Sequence, residues 1–510
     1  MASFSPTTSG VSVPAPVGGW NARDAIANMP ANMACILINM FPTPSDVEIR
    51  PGFQNWATGL PGQVDSVFAY NGLAARLFAA SSAGIYDVTN SGAVGAPAVA
   101  GQSSDRYVTA HMTTPGGTFL YAVNGLDYPQ LYNGSSWQQV TATSSPISIT
   151  GIPLNQISFV HTAKSRIWFV IGGTQAAYLP VQSLGGAAQI FDVGPVFRNG
   201  GRLVAIGSWS ATGGFGAQDL TVFVSSTGEV AIYQGTDPSQ LTTWALVGVW
   251  QFGSPMGNRC LTRFGDDLLY LSKDGLTSFM QGRFFADVSD NKSALTDNIQ
   301  WAISNATGSY PNNYGWQTIA YPTANALIVN VPVSQGQQQQ YVQNTVTGAW
   351  CQFQGWNANA FEVFHDQLYF GGAGIVAQAW KGWSDNGAAI QAEALPAFSN
   401  FGQPATLKNW TSAKPIFSSS GQPSFLMMLN IDYDTTPPIG MMSTAPITMA
   451  MWGSAIWGTS TWPYGQTIIN NWQSVTGMGY TAALHLKITT NGANVKWMAT
   501  DFAFEIGSVM

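Results

Sequence analysis

Catalysis and metal binding need acids, bases or nucleophiles that converge, so the titratable residues of this 510-residue chain are the natural starting point. Its four histidines, His111, His161, His365 and His485, lie far from one another and from any cysteine pair. Metal centres and triads draw several such groups together at short or recurring spacings, and no such spacing occurs here. Each histidine is therefore read as structural or exposed. Cys35, Cys260 and Cys351 are odd in number and widely separated, which fits buried thiols better than a disulfide framework or a zinc site.

Paired carboxylates would suit glycoside hydrolysis. Three pairs qualify: Asp266 with Asp267, Asp46 with Glu48, and Asp432 with Asp434. The first begins a hairpin, where a solvated turn role is the default. In Ile431-Asp432-Tyr433-Asp434 the alternation would place both carboxylates on one face of a strand, marking an exposed or lumenal acidic surface. No Walker-type loop and no Gly-x-Ser-x-Gly elbow is present. The residues thus point to no enzyme, no cofactor and no metal.

The composition describes the scaffold. Charged residues make up 8% of the chain against roughly 25% in an average soluble domain. Amphipathic helices need Lys and Glu on their wet face, and 18 Lys plus Arg with 25 Asp plus Glu cannot supply many. Short strands joined by Gly, Asn and Ser turns fit better, as does the 12% aromatic content. A net charge of −7 argues against wrapping nucleic acid, which requires clustered Lys and Arg. No uncharged apolar run approaches the ~18 residues of a membrane helix, and the first ten residues lack the basic and apolar regions of a secretory signal.

A hairpin-like pattern recurs: an apolar run, a short Gly/Ser/Asn/Asp turn, then a second strand that often begins Gly-Ile or Gly-Leu. Copies occur at 75–88, 118–137, 165–181, 220–234, 267–280 and 367–380, and another at 326–350 whose loop is lengthened by a Gln tract. First strands such as Ile167-Trp168-Phe169-Val170-Ile171 and Leu268-Leu269-Tyr270-Leu271 are apolar on both faces, so both faces must be covered. Radially stacked blades at a period of about 40–50 residues give that cover. The expected fold is mainly β: a β-propeller over 61–383 with about seven blades, six or eight being compatible. A second β-rich domain is expected from the N-terminal segment, 1–60, and the C-terminal segment, 384–510. In the N-terminal part, Asn21 is expected to cap a helix of about two turns that ends before Pro30.

Two stretches carry a resemblance to a known family. The N-terminal run WNARDAIANMP, with Trp20, Asn21, Arg23, Asp24, Asn28, Met29 and Pro30, is followed by Asn39, Phe41 and Pro42 and then by Arg50, Gly52 and Phe53. The C-terminal run WPYGQTIINNWQSVTGMGY at 462–480 precedes VKWMATDFAFEIG. Together they resemble the tail nozzle, or tail tubular, proteins of short-tailed bacteriophages. The resemblance implies a structural virion protein: a hexameric nozzle at the distal end of the tail, assembled in the host cytoplasm. Its implied partners are copies of itself, a tail adaptor protein and a tail fibre or tailspike, with genomic DNA passing through the channel without specific binding and no membrane insertion. Trp20, Arg23, Asp24, Trp452, Trp457, Trp462 and Trp472 are the candidate subunit and adaptor contacts, and Asp432 and Asp434 the candidate lumenal acids. The alternative is a carbohydrate-binding propeller acting as a receptor-binding tail protein.

Overall fold

A computed structural model of the chain describes residues 8–82, 84–213, 216–240, 242–282, 294–445 and 465–506. Strand accounts for 54% of the chain and helix for 6%, so the fold is mainly β as the composition requires. Four antiparallel meanders stand as separate sheets in a propeller-like arrangement. Val108–Thr114, Gly117–Val123, Gln130–Tyr132 and Trp137–Gln139 form one of them. The next comprises Phe159–Ala163, Arg166–Gly172, Gln175–Tyr178 and Gln189–Asp192. A third runs through Leu203–Gly213, Gly216–Ser225, Glu229–Gly235 and Trp244–Gln251. The fourth has Leu261–Phe264, Asp267–Ser272 and Gly275–Ser278, with a single bridge from Thr277 to Ala294.

Two further meanders join larger sheets. Gln317–Tyr321, Ala326–Ser334, Gln337–Asn344 and Trp350–Gln354 pair in chain order, and Ile38 then adds to the last of them through Gln352. Ala360–Phe364, Gln367–Gly371 and Ala373–Ala379 continue onto the first half of the long strand Phe53–Tyr70. The second half of that strand begins a meander with Arg76–Ser81 and Gly84–Asp87. The sequence boundary at residue 60 thus falls inside one continuous strand.

Side-chain alternation shows how the sheets stack. In Arg166–Gly172, Trp168 and Val170 enter one buried cluster with Phe223 and Tyr270, while Ile167, Phe169 and Ile171 enter another with Tyr121 and Leu131. In Asp267–Ser272, Leu268 and Tyr270 face the first of these clusters, whereas Leu269 and Leu271 pack with Ile303 and Val329. Arg76–Ser81 divides likewise, Leu77 and Ala79 on one side and Phe78 and Ala80 on the other. Each of these three strands is therefore covered on both faces, which explains the two-sided apolar runs.

The chain's two ends meet in two sheets. Met33–Ile38 pairs with Ile390–Pro396, that strand with Ala482–Thr490, and the latter with Ser424–Ile431. In the other sheet Val495–Ile506 lies between Thr8–Pro14 and Lys408–Ser419, and Thr467–Ile469 and Gln473–Gly479 pair with the far side of Lys408–Ser419. Trp410, Phe417, Trp497 and Phe504 share one buried cluster with Leu37, Ala394 and Leu486, and that cluster continues into Phe353, Trp356 and Phe370.

Local expectations fail at three places. The helix after Asn21 reduces to the single 3-10 turn Ile26–Asn28: the Asn21 Oδ1 accepts from the Arg23 and Asp24 amides at 3.0 Å each, as a cap would, but the turn it closes is not continued as helix. The Gln tract is not loop: Gln337–Asn344 is a strand, with Gln340 fully buried and its amide donating to Asn330 Oδ1 at 2.8 Å and Trp356 O at 2.9 Å. Asp432 and Asp434 do not share a strand face either. The strand ends at Ile431, and Asp432 and Tyr433 turn through φ of 47° and 70°. One ten-residue helix, Gln300–Ser309, interrupts the strands and buries Ala302, Ile303 and Ala306.

Candidate functional site

The N-terminal motif residues are drawn into the chain's own framework. Trp20 packs edge-on against Tyr341 at 5.3 Å. Arg23 pairs with Asp24 at 2.8 Å and with Asp297 on the turn before the helix, and Asn21 donates to Asp24 at 2.9 Å. Arg23 keeps 41% of its side chain exposed and Asp24 25%, so both remain accessible while tying the N-terminal segment to residues 297–298. Arg50 is the keystone. It is fully buried and holds Asp385 through two bonds of 2.8 and 2.6 Å, while donating to Asn39 Oδ1, Pro51 O and Gln354 O. Its guanidinium also lies 5.1 Å from the Trp356 ring centroid. One side chain thereby links the N-terminal segment, the strand Trp350–Gln354 and the segment before Ile390. Two residues on, a Cβ at Gly52 would sit 1.8 Å from Ser384 O, so only glycine fits.

The C-terminal candidates lie elsewhere. Trp472 is 53% exposed, with the Lys414 ammonium 5.0 Å from its ring and Lys414 paired to Asp501 at 2.8 Å. Ile468, Met478 and Tyr480 are also exposed, on or next to strands that pair only with Lys408–Ser419 among the described residues. Trp452, Trp457 and Trp462 lie outside the described residues. Asp432 Oδ1 accepts from the Tyr480 and Thr481 amides at 2.8 and 2.9 Å, and Asp434 Oδ1 accepts from the Thr436 amide and hydroxyl at 3.0 and 2.8 Å. These bonds hold the Asp434 carboxyl below the usual range. Both aspartates are exposed, and both organise the turn they stand on. Asp267, of the first carboxylate pair, accepts from the Leu268 and Met280 amides and the Ser278 hydroxyl, which also gives it a turn-closing role.

Beside this turn, His485 is fully buried between two acceptors: Glu393 Oε1 lies 2.8 Å from Nε2, and Thr436 O 3.2 Å from Nδ1. That bond, with Lys487 at 3.8 Å, lowers the Glu393 carboxyl below its ordinary 4.5. A depressed carboxylate contributes stability above its unfolded value and loses it as pH falls through the folded one. Thermal melts between pH 7 and 3 should therefore show Glu393→Gln destabilised by about 1–2 kcal/mol at pH 7 and converging on the parent below pH 4.5. Parallel curves throughout would contradict this.

The inner strands bring together groups that no motif signals. Tyr314 lies between two guanidiniums, Arg106 at 4.2 Å and Arg259 at 4.6 Å from its ring centroid, and donates to Asp65 O at 2.8 Å. Asp65 in turn pairs with Arg106 at 3.0 Å and accepts from Asn359 at 2.7 Å. His161 bonds Ser208 Oγ at 2.9 Å, and burial drives its ring down to about 4, which keeps it neutral. Glu362 is partly accessible yet surrounded by protein, and the second condition governs its charge: desolvation pushes its carboxyl up to about 8. Cys260 and Cys351 are buried and Cys35 half-buried, with burial pushing the Cys35 thiol up to about 11. Among the described residues no three His, Cys, Asp or Glu side chains are grouped to hold a metal, and no helix is long and apolar enough to cross a membrane.

No family model matches the chain, and no curated protein does so. Solved structures with a similar strand arrangement include the computationally designed Ika8 protein, at 10% identity and a TM-score of 0.34, covering 64% of this chain and 99% of that one. The WD40 β-propeller domain of Doa1 is similar at 11% identity and a TM-score of 0.39, over 64% of this chain and 96% of that one. PorZ, a surface component of the type-IX secretion system of Porphyromonas gingivalis, has 14% identity and a TM-score of 0.35, with 67% and 42% covered.

Proposed function

We propose that the chain is a structural component of a short phage tail, the nozzle, built as a seven-bladed propeller and a second body made from both chain ends. Seven meanders support this blade number: four separate sheets, the one at 317–354, the one that 360–379 completes with Phe53, and the one that the second half of Phe53–Tyr70 begins. Phe53–Tyr70 pairs with both Ala373–Ala379 and Arg76–Ser81, which supports a ring closed by strand pairing between the last blade and the first. The second domain comprises residues before 53 and after 383, joined to the blades through Arg50 and through Ile38 on the strand Trp350–Gln354.

The observation that carries the functional reading is the exposed apolar edge of the second body. Ile468, Trp472, Met478 and Tyr480 are exposed along the sheet border that follows Lys408–Ser419, and Ile439 and Met441 are almost wholly exposed in the segment after Ser424–Ile431. Apolar surface of this kind fits burial against neighbouring copies. Six copies at −7 each carry −42 formal charges, a field that would keep DNA off a channel wall. Electron microscopy and sedimentation of the purified chain test the proposal. Sixfold rings around a continuous channel are expected, with Trp472→Lys and Met478→Lys shifting the population to monomers that keep the parent's far-ultraviolet circular dichroism. A chain that remains monomeric at about 100 μM would refute the reading, since a ring interface of standard size holds well below that concentration.

A further inference from the structure

Inside the propeller-like arrangement, inner-strand residues line a cavity of about 500 Å³, a volume within the ~300–1,000 Å³ range of small-molecule sites. Its walls come from strands distant in sequence: Val108–Thr114, Phe159–Ala163, Leu203–Gly213, Leu261–Phe264 and Gln317–Tyr321. Three cations face it, Lys164, Arg259 and Arg263, against one carboxylate, Asp219. In a chain of net −7 with 18 basic residues, that is a local inversion of charge. Lys164 stands 3.8 Å from Asp219. Arg259 is held in place by Gln317 Oε1 at 3.3 Å, Asn359 O at 3.0 Å and the Tyr314 ring, none of which neutralises it. Arg263 donates from Nε to Gly265 O at 3.3 Å and forms no ion pair among the described residues.

The rest of the lining is rich in hydroxyls and amides, including Thr162, Ser208, Ser210 and Gln317. Thr318 adds the telling feature: it is 4% exposed, it lines the cavity, and its Oγ1 has no hydrogen-bond partner. A buried hydroxyl left unbonded costs about 1–3 kcal/mol, which a bound acceptor or donor would recover. We propose that this cavity is a binding site for a small polyhydroxylated anion, a sugar carrying a carboxylate or a phosphate, with Arg263 and Arg259 taking the oxyanion and the Thr318 and Ser208 hydroxyls the sugar hydroxyls. The site does not depend on ring formation, so it stands or falls apart from the nozzle reading.

Titration calorimetry of the full chain with glucuronate, glucose 6-phosphate, glucose and inorganic phosphate tests the assignment. The two anionic sugars are expected to bind at least about tenfold more tightly than glucose or phosphate alone. A preference between the two identifies the carboxylate or the phosphate as the group recognised. Arg263→Gln, at an exposed side chain, should abolish that advantage, and Thr318→Val should weaken binding about threefold or more. Arg263→Gln should keep the parent unfolding curve and Thr318→Val should match or exceed it, since it removes an unbonded buried hydroxyl, and Lys273→Gln, outside the cavity, should bind as the parent does. Binding of glucose as tight as that of glucuronate, binding of phosphate alone as tight as that of the sugar phosphate, unchanged binding by Arg263→Gln, or no binding at all would overturn the proposal.

Discussion

Replacing Arg50 by methionine is expected to destabilise the chain by about 3–5 kcal/mol, because it leaves Asp385 in a mostly buried site without its bidentate partner. The loss should exceed that of an ordinary ion pair, since the same guanidinium also satisfies Asn39 Oδ1, Pro51 O and Gln354 O. Arg50→Lys should recover little: an ammonium cannot present the planar fork that reaches Asp385 and Gln354 together. The double variant Arg50→Met with Asp385→Asn should lose clearly less than the sum of the two single losses, as residues acting through one bond do. Urea unfolding at pH 7 followed by tryptophan fluorescence measures all four. An Arg50→Met variant within about 1 kcal/mol of the parent would show that the junction between the blades and the terminal sheets does not rest on this residue.

Glu362→Gln should act in the opposite direction. The folded chain holds the Glu362 proton up to about pH 8, whereas the unfolded chain releases it near the ordinary 4.5. Raised in the folded state, this carboxyl contributes stability below its unfolded value, and that contribution is lost as pH rises through the folded one. The full shift corresponds to somewhat less than 5 kcal/mol, and the side chain's partial accessibility reduces it to about 2–4 kcal/mol. Glutamine keeps the shape without the charge, so the variant should gain most of that amount at pH 8 and nothing at pH 4. Calorimetric melts across that range would show it, and an equal Tm difference at both ends would disprove a titrating Glu362. Combined with the depressed Glu393 and Asp501 carboxyls, whose contribution fades in acid, this predicts maximal stability of the parent near pH 5.

The N-terminal motif illustrates how far short patterns carry. Trp20, Arg23, Asp24, Arg50 and Gly52 are distinctive in sequence, yet their spacing does not reveal that Arg23 meets Asp297 or that Arg50 meets Asp385. Asp432 shows the reverse case. An alternating tetrapeptide reads as strand, but the amides of Tyr480 and Thr481 capture the Asp432 carboxylate and turn the backbone, a contact 48 residues away that outweighs local preference. The Gln tract departs from its local pattern for a related reason. Glutamine looks like loop when its partners are unknown, and Gln340 becomes strand core only because Asn330 and the Trp356 carbonyl receive its amide.

By itself, the order of residues determined the mainly β class, the positions of the hairpins and the need for cover on both faces of strands such as Arg166–Gly172. Those properties depend on neighbours within a few residues, through side-chain alternation and turn chemistry. Only the tertiary structure decided which sheets face each other, that Met33–Ile38 pairs with Ile390–Pro396, and that Lys164, Arg259 and Arg263 line one cavity. The physical reason is that these groupings arise from packing separate meanders against one another and from joining the two chain ends. The pairs involved lie tens to hundreds of residues apart, as Asn359 and Asp65 do at 294, and no local periodicity records which distant surface a strand will meet.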